Sequence, residues 1–319
     1  MVRFAGLICL IAAPLGVFCD RAPEIYELEL ERAVRLECEA AYNLSGLAFG
    51  ADGYLYFTDD NGPAPGDWEP KNPVFLRVKV DDVLDPANEA PSLEPLEVAG
   101  EAEAYAALAA SCEKAFKYDL EGVTALENGK LWACDERDRL LLEYDPAART
   151  LGLVASYQEL AMWDDRLAEG RINNGFEGIA VIGDWLFLAH EMFPNLIVRY
   201  RLKGGAVTAD TVFTVEGSSD LTGLESDGGK LYALGRTGSA VYRLDPKSGR
   251  VKAGAFFGRE ADNPEYRFRQ RDDSYRNSEG LALGRGRIFI VLDGNFQSTM
   301  TDEKERRPLL LIYKRPGGF

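Results

Sequence analysis

Histidine and cysteine are scarce in this sequence. One histidine, His190, occurs among 319 residues, which excludes a zinc or iron site built on two or three imidazoles. The five cysteines form no Cys-x-x-Cys pair, which argues against a thiolate zinc site. Gly-x-Ser-x-Gly and Walker motifs are absent as well, so nothing indicates a nucleophile elbow or a P-loop.

Basic residues are in the minority. The chain has 36 lysines and arginines against 52 acidic residues, and its formal net charge is −16. Nucleic-acid binders carry basic patches that replace counterions, so we expect no nucleic-acid partner. Apolar residues make up 46% of the chain and aromatic residues 11%, which is enough to bury a large core and excludes a disordered chain.

The N-terminus predicts a secretory signal peptide over residues 1–19. Residues 4–18 carry no charge, and this apolar stretch is too short to span a membrane. We therefore expect a secreted or periplasmic protein without a transmembrane span, whose residues 20–319 form one domain. Lipid anchoring at Cys19 is the alternative, but Phe18 stands where a small residue is normally required. Cys38, Cys112 and Cys134 remain, either as one disulfide with a free thiol or as buried thiols.

Five internal repeats determine the predicted architecture. Each begins with a polar residue and glycine, continues with a short apolar run and a turn, and ends in a strand rich in aromatic and β-branched residues, which is the pattern of a β-hairpin. The hairpins run from Ser45 to Asp59, from Glu121 to Asp135, from Glu177 to Glu191, from Thr222 to Arg236 and from Glu279 to Asp293.

Further strands follow each hairpin and indicate a β-propeller. Third strands are predicted at 74–80, 140–144, 196–202, 240–244 and 309–314, and looser fourth strands at 96–98, 151–156, 211–215 and 251–257. Four strands per repeat predict an all-β, five-bladed propeller. The fifth repeat lacks room for a fourth strand, so we expect residues 25–36 to supply it and close the ring. A six-bladed propeller would need a hidden blade within 73–118, where residues 102–117 read as a helix.

The repeat register predicts an acidic ring at one mouth of the central channel. The first strand of a blade starts at that mouth and the second returns to it, so the first and last hairpin residues meet there. Seven of these ten residues are carboxylates, and His190 lies in the same ring. Like charges this close raise one another's pKa, and a bound cation would offset the repulsion.

Oxygen ligands in a flexible ring favour Ca²⁺, with Mg²⁺ or Mn²⁺ as alternatives. The predicted metal ligands are the ring acids Asp59, Glu121, Asp135, Glu177, Glu279 and Asp293. The competing interpretation is that these acids cap strands and accept hydrogen bonds from backbone amides.

Long loops are predicted at the same mouth, where binding and catalysis usually reside. Arginines in and around these loops suit a small anionic ligand, and the alternative is solvated charge paired with neighbouring acids. The predicted substrate-binding residues are Arg137, Arg236, Arg269 and Arg271. The predicted catalytic residues are Glu177, His190 and Glu191.

The sequence resembles the family named "esterase-like activity of phytase". The motifs that carry the resemblance are LSGLAF at 44–49 with YLYFTDDNG at 54–62, DLEGVTAL at 119–126 with LWACDER at 131–137, NNGFEGIAV at 173–181, and NSEGLAL at 277–283 with VLDGNF at 291–296. The resemblance implies a propeller with phosphate- or ester-cleaving activity that depends on calcium. Thr222, Arg236 and Ser45 depart from the pattern, because they stand where the other repeats carry acids.

Two functional hypotheses follow from these observations. The first is a calcium-dependent hydrolase of phosphomonoesters or related esters that acts at the acidic mouth, with a ring carboxylate or His190 moving the proton. The second is a non-catalytic propeller that binds a ligand or protein and uses calcium structurally. Under either hypothesis we expect a monomer. Propellers serve both roles, so the fold does not choose between them.

Overall fold

The structure, a computed structural model, describes residues 22–38, 42–60, 75–110, 119–136, 139–156, 175–191, 195–217, 220–269, 276–292, 294 and 296–319. The predicted signal peptide lies outside these residues. The described strands form five antiparallel blades, which confirms the five-bladed β-propeller. No helix within the described ranges combines the length and apolar character needed to cross a membrane.

Blades one to four each contain four consecutive strands, ordered from the channel outwards. Blade one contains β3 (Leu44–Phe49), β4 (Tyr54–Asp59), β5 (Phe75–Lys79) and β6 (Glu94–Leu96). Blade two contains β7 (Leu120–Ala125), β8 (Leu131–Asp135), β9 (Leu141–Asp145) and β10 (Thr150–Ala155). Blade three contains β11 (Phe176–Ile182), β12 (Trp185–His190), β13 (Leu196–Lys203) and β14 (Ala206–Thr214). Blade four contains β15 (Leu221–Asp227), β16 (Lys230–Gly235), β17 (Ala240–Leu244) and β18 (Val251–Phe256).

Blade five is completed by the N-terminal segment. It contains β19 (Ser278–Gly284), β20 (Arg287–Leu292) and β21 (Leu309–Lys314), and β2 (Glu29–Arg35) pairs antiparallel with β21 as its outer strand. This confirms the predicted ring closure. The short strand β1 (Glu24–Glu27) pairs parallel with β18 of blade four, an addition that the repeat pattern did not predict.

Among the described residues, the helices lie in connections between strands. They are α1 (Val80–Leu84), α2 (Glu101–Ala109) and α3 (Gly258–Ala261). The helix predicted over 102–117 is present as α2, and residues 111–118 lie outside the described part. The fourth strand predicted at 96–98 begins two residues earlier, as β6 (Glu94–Leu96), where it pairs with β5.

Buried side chains form five hydrophobic clusters, one between each pair of neighbouring blades. For example, Tyr56 of blade one packs with Leu131 of blade two, and Phe289 of blade five packs with Leu55 of blade one. The second strands are therefore buried on both faces, which explains their continuous apolar sequences. Apolar burial of this kind is the main force that holds the blades together.

The inner strands approach one another at a ring of glycines. Each glycine directly follows the first hairpin residue of its repeat: Gly46, Gly122, Gly178, Gly223 and Gly280. A Cβ atom on Gly280 would lie 2.5 Å from the Ser45 carbonyl oxygen, and one on Gly122 would lie 2.8 Å from the Glu177 carbonyl oxygen. Both neighbours are backbone atoms, so they cannot move aside as a flexible side chain would.

Alanine substitutions in this ring should destabilise the protein according to the space available. We expect Gly280→Ala to lower the free energy of unfolding by at least about 2 kcal/mol, as overpacking does in cores. Gly223→Ala should cost less, because its nearest atom would be 3.3 Å away. Gly152→Ala, in the outer strand β10, is the matched control, since no atom lies within 4 Å. Urea unfolding of the three variants tests this order, and equal losses would contradict it.

The opposite end of the channel holds a buried carboxylate, Glu225. This side chain is 7% exposed and accepts the backbone N–H of Ser226 at 2.7 Å. It also interacts with backbone amides of Leu283 in blade five and Phe49 in blade one. Burial raises the pKa of Glu225 to about 8, and the three amides counteract the increase only in part.

The raised pKa of Glu225 predicts a pH-dependent loss of stability. The unfolded chain ionises this group near its ordinary pKa, whereas the folded chain keeps it protonated, so its stability contribution is complete at acid pH and is lost as the pH rises towards about 8. Glu225→Gln removes this loss. We expect the melting temperature of the variant minus that of the parent to increase between pH 5 and pH 8.5. Glu216→Gln, at an exposed position, should show no such trend.

Candidate functional site

The channel mouth is shaped by irregular starts of the inner strands. In every blade the pairing of the first two strands shifts register at the first hairpin residue, as a β-bulge produces. In blade two the shift lies between Leu120 and Val123, so it includes Glu121. In blade three it lies between Phe176 and Gly178, so it includes Glu177. A bulge re-aims side chains, which places these carboxylates at the mouth.

Three buried carboxylates meet at this mouth. Glu121, Glu136 and Glu177 are each at most 6% exposed, and each offers an oxygen within 4.8 Å of the other two. Glu121 belongs to blade two, Glu136 follows that blade's second strand, and Glu177 belongs to blade three. The group therefore spans the boundary between two blades and has the spacing needed to hold a metal ion.

A second acidic group shares Glu121 with the first. Oxygens of Asp60, Asp119 and Glu121 also lie within 4.8 Å of one another. Ser45 Oγ donates a hydrogen bond to Glu121 Oε2, and Asn43 Nδ2 donates one to Asp60 Oδ2 at 2.7 Å. Five carboxylates from three blades thus form a continuous acidic surface.

Burial and mutual repulsion disfavour the charged forms of this surface. The pKa of Glu121 is raised well above its usual value, mainly by burial and then by Asp119 and Glu136. The pKa of Glu177 is raised by burial and by Glu121, Glu191 and Glu136. The pKa of Asp60 is likewise raised by burial first and Glu121 second. A cation would relieve all three effects.

Two of the predicted metal ligands accept backbone hydrogen bonds. The Asp59 carboxylate accepts the Asn43 N–H, and the Asp135 carboxylate accepts the Asp119 N–H, both at 2.6 Å. Each bond fixes the chain immediately before an inner strand. Neither acid belongs to the two groups described above, so their metal-binding role stays a prediction.

On the other side of the mouth, Arg236 lies among three carboxylates. The guanidinium Nη1 is 2.9 Å from Glu279 Oε2, Nε is 3.2 Å from Asp220 Oδ2, and Nη2 contacts Glu191 Oε1. The arginine is 6% exposed and the acids are 11–13% exposed. Burial raises the pKa of Glu279 to about 7, although Arg236 and its hydrogen bonds counteract the increase.

The remaining predicted residues are placed as follows. His190 is buried at the end of β12, beside Glu191. Arg269 donates to Thr299 O at 3.2 Å and pairs with Glu303 at 3.3 Å, so it ties two loop segments together. Arg137, Arg271 and Asp293 lie outside the described residues.

Asp60, Asp119 and Glu136 are missing from the predicted ligand set, yet the structure places them in the acidic groups. Asp60 and Glu136 directly follow the last hairpin residue of their repeats, and Asp119 lies two residues before the first hairpin residue of the second repeat. The sequence feature that could identify these three acids is their position next to the ring residues. The bulges and strand ends bring these flanking residues inwards as well.

The fold and the ring define a β-propeller with a carboxylate-lined mouth. The chain belongs to the phytase-like family described as "Esterase-like activity of phytase", whose model matches residues 40–296. This confirms the resemblance found in the sequence. No curated protein matches the chain.

Solved structures similar to this chain are propellers of low sequence identity. Glutaminyl cyclase from Myxococcus xanthus has a TM-score of 0.53 and 14% identity, over 92% of this chain and 99% of that chain. A gluconolactonase from Xanthomonas campestris has a TM-score of 0.44 and 12% identity, over 85% and 72%. The calcium-binding protein regucalcin from Agrobacterium tumefaciens has a TM-score of 0.45 and 12% identity, over 92% and 98%. The cyclase supports the fold alone.

Removing one acid from the crowded side should stabilise the metal-free protein. In chelator at pH 7, we expect Glu121→Gln to raise the free energy of unfolding by at least about 1 kcal/mol, because folding makes Glu121 either take up a proton or bury its charge, and an amide does neither. With calcium added, wild type should be more stable than Glu121→Gln, because Glu121 is a proposed ligand. Glu143→Gln is the control with opposite sign, since Glu143 accepts Lys130 Nζ at 2.7 Å and its loss should cost up to about 1 kcal/mol. Destabilisation by Glu121→Gln would show that the ring is not electrostatically strained.

Proposed function

We propose that this chain is a secreted or periplasmic hydrolase that cleaves phosphomonoesters or related esters at the acidic mouth, with the aid of a bound divalent cation. The observation that carries the proposal is the buried group of Glu121, Glu136 and Glu177, whose oxygens lie within 4.8 Å of one another. Membership of a family named for phytase and esterase activity supports the choice of substrate class.

The chemistry of the donors favours calcium. Both acidic groups consist of carboxylates alone, without imidazole or thiolate, and hard oxygen donors suit Ca²⁺ better than zinc or copper. Calcium also tolerates irregular coordination, which fits side chains that come from three blades. Magnesium and manganese are the alternatives that metal analysis would reveal. Glu121 and Glu177 are the predicted ligands found in these groups, and Glu136, Asp60 and Asp119 extend the set.

A bound cation would neutralise substrate oxygens and orient or acidify the attacking water. We assign proton transfer to Glu177 in β11, to His190 at the end of β12, or to Glu191, which follows β12. One of them accepts the proton that water loses as its oxygen bonds to the phosphorus or carbonyl carbon. The ester bond then breaks, and the leaving oxygen takes the proton. The remaining negative charge of the substrate would pair with the proposed substrate-binding residues Arg137, Arg236, Arg269 and Arg271.

A second function, ligand or protein binding with structural calcium, is favoured by a specific observation. Asp59 and Asp135 already accept backbone N–H groups, and Arg236 already pairs with three carboxylates. Part of the ring therefore stabilises the fold. A cation on the remaining acids would, in this case, hold blades one to three together without turnover.

The first test joins metal content to activity. The purified protein is analysed for bound metal and assayed with p-nitrophenyl phosphate, phytate and p-nitrophenyl acetate, before and after chelation and with calcium restored. We expect turnover that disappears with the metal and returns with it. Calcium that raises the melting temperature without any turnover would instead support the binding function.

The second test removes one proposed site residue. Glu177→Gln should reduce metal-dependent turnover by at least about 100-fold, because it removes a ligand oxygen and a proton acceptor at the mouth. Its folding in chelator should be unchanged or improved, since a buried charge is removed. Glu143→Gln, on the blade exterior, is the control that should keep full activity. Undiminished turnover in Glu177→Gln would eliminate the proposed site.

A further inference from the structure

The acidic mouth has two sides that differ in how their charge is neutralised. On one side lie the five carboxylates of blades one to three that form the two acidic groups. On the other, Glu191, Asp220 and Glu279 surround Arg236. We call the second set the arginine cluster.

The arginine cluster is built across three blades. Glu191 follows β12 of blade three, Asp220 precedes β15 of blade four, and Glu279 lies in β19 of blade five. Arg236 follows β16 and reaches all three, with a separate guanidinium nitrogen for each acid. The planar fork of arginine suits such a fixed arrangement, whereas a lysine concentrates its charge on one compact ammonium nitrogen.

Arg236 occupies a repeat position that carries an acid in other blades. The equivalent residues are Asp59 in blade one, Asp135 in blade two and Glu191 in blade three. Blade four also lacks an acid at its first hairpin position, where Thr222 Oγ1 donates to the Ser278 carbonyl oxygen of blade five at 2.9 Å. Blade four therefore brings a positive charge to the place where its neighbours bring negative charge.

We propose that Arg236 is an internal substitute for a cation: it occupies a position that would otherwise bind a divalent metal ion, and so limits the number of ions the ring holds. Three nearly buried carboxylates around one cationic group are the environment of a hard metal ion. With Arg236 present the cluster has a formal charge of −2, counting all acids as ionised. Without it, the charge would be −3 in the same enclosed volume.

This inference rests on the proposed cation-binding role of the ring, but its test distinguishes a failure of the inference from a failure of the proposed function. Calcium per chain is measured by equilibrium dialysis and elemental analysis on wild type and Arg236→Gln. We expect the variant to bind one more calcium ion than wild type, whatever number wild type binds. A wild type that binds no calcium, magnesium or manganese would refute the proposed function, and a gain of calcium from zero to one in the variant would still support the role of Arg236.

Two further variants control for charge and for general destabilisation. Arg236→Lys keeps the positive charge and should bind the same number of ions as wild type. Arg199→Gln removes an arginine that pairs with Asp210 between outer strands, away from the mouth, and should not change the number either. An unchanged calcium count in Arg236→Gln, or an equal gain in Arg199→Gln, would overturn the inference.

Folding of Arg236→Gln provides a second measurement. If the variant unfolds without metal, it is refolded at increasing calcium concentration. Recovery of native circular dichroism that depends on calcium more steeply than in wild type supports a gained site. Failure to refold at any calcium concentration would mean that Arg236 is an ordinary structural ion-pair residue.

Discussion

The close approach of five inner strands at the channel mouth is the constraint on which the rest of this structure depends. Each of these strands carries a ring residue followed by glycine near its start, and in four of the five blades the next blade's backbone lies within 3.0 Å of where a Cβ would be. This contact sets the distance between blades and hence the fit of the five hydrophobic clusters. It also brings the ring side chains together, whatever their charge.

The crowding of acids is therefore a consequence of the propeller, and the chain offsets it in different ways around the ring. Asp59 and Asp135 accept backbone hydrogen bonds, which lowers the cost of burying a carboxylate. Glu191, Asp220 and Glu279 share a guanidinium. Burial and neighbouring carboxylates raise the pKa values of Glu121 and Glu177, and together with Glu136 these side chains could hold a metal ion. The proposed function is placed at this part of the ring because its carboxylates have the spacing needed to hold a metal ion.

Much of this architecture could be predicted from the sequence because the repeats align without gaps. The register of Glu121 with Glu177 and Glu279 identified the blades, the channel strands and the mouth. The ring closure by β2 followed from a missing strand in blade five. The pairing of β1 with β18 could not be predicted, because four residues at a parallel sheet edge carry no periodic signal and depend on where the neighbouring blade lies.

The composition of the acidic groups was predicted only in part, for a reason that lies in the backbone. Alignment treats Asp59, Asp135 and Glu191 as equivalent, yet the first two turn to backbone amides while the third pairs with Arg236. Asp60 and Glu136, one residue further along, join the acidic groups instead. A register shift of one residue changes which side chain points into the mouth, and that shift is a tertiary property.

The N-terminal segment has a consequence for the order in which the molecule can be completed. Strand β2 belongs to blade five, whose strand β21 is the last to be synthesised, and β1 lies against blade four. Blades one to three can pair from neighbouring sequence as the chain emerges. Strands β1 and β2, however, can pair only after β18 and β21 have been made, and the ring of blades closes only then. During synthesis β2 therefore has no partner in blade five until β21 has been made, and blade five is complete only when these two strands pair.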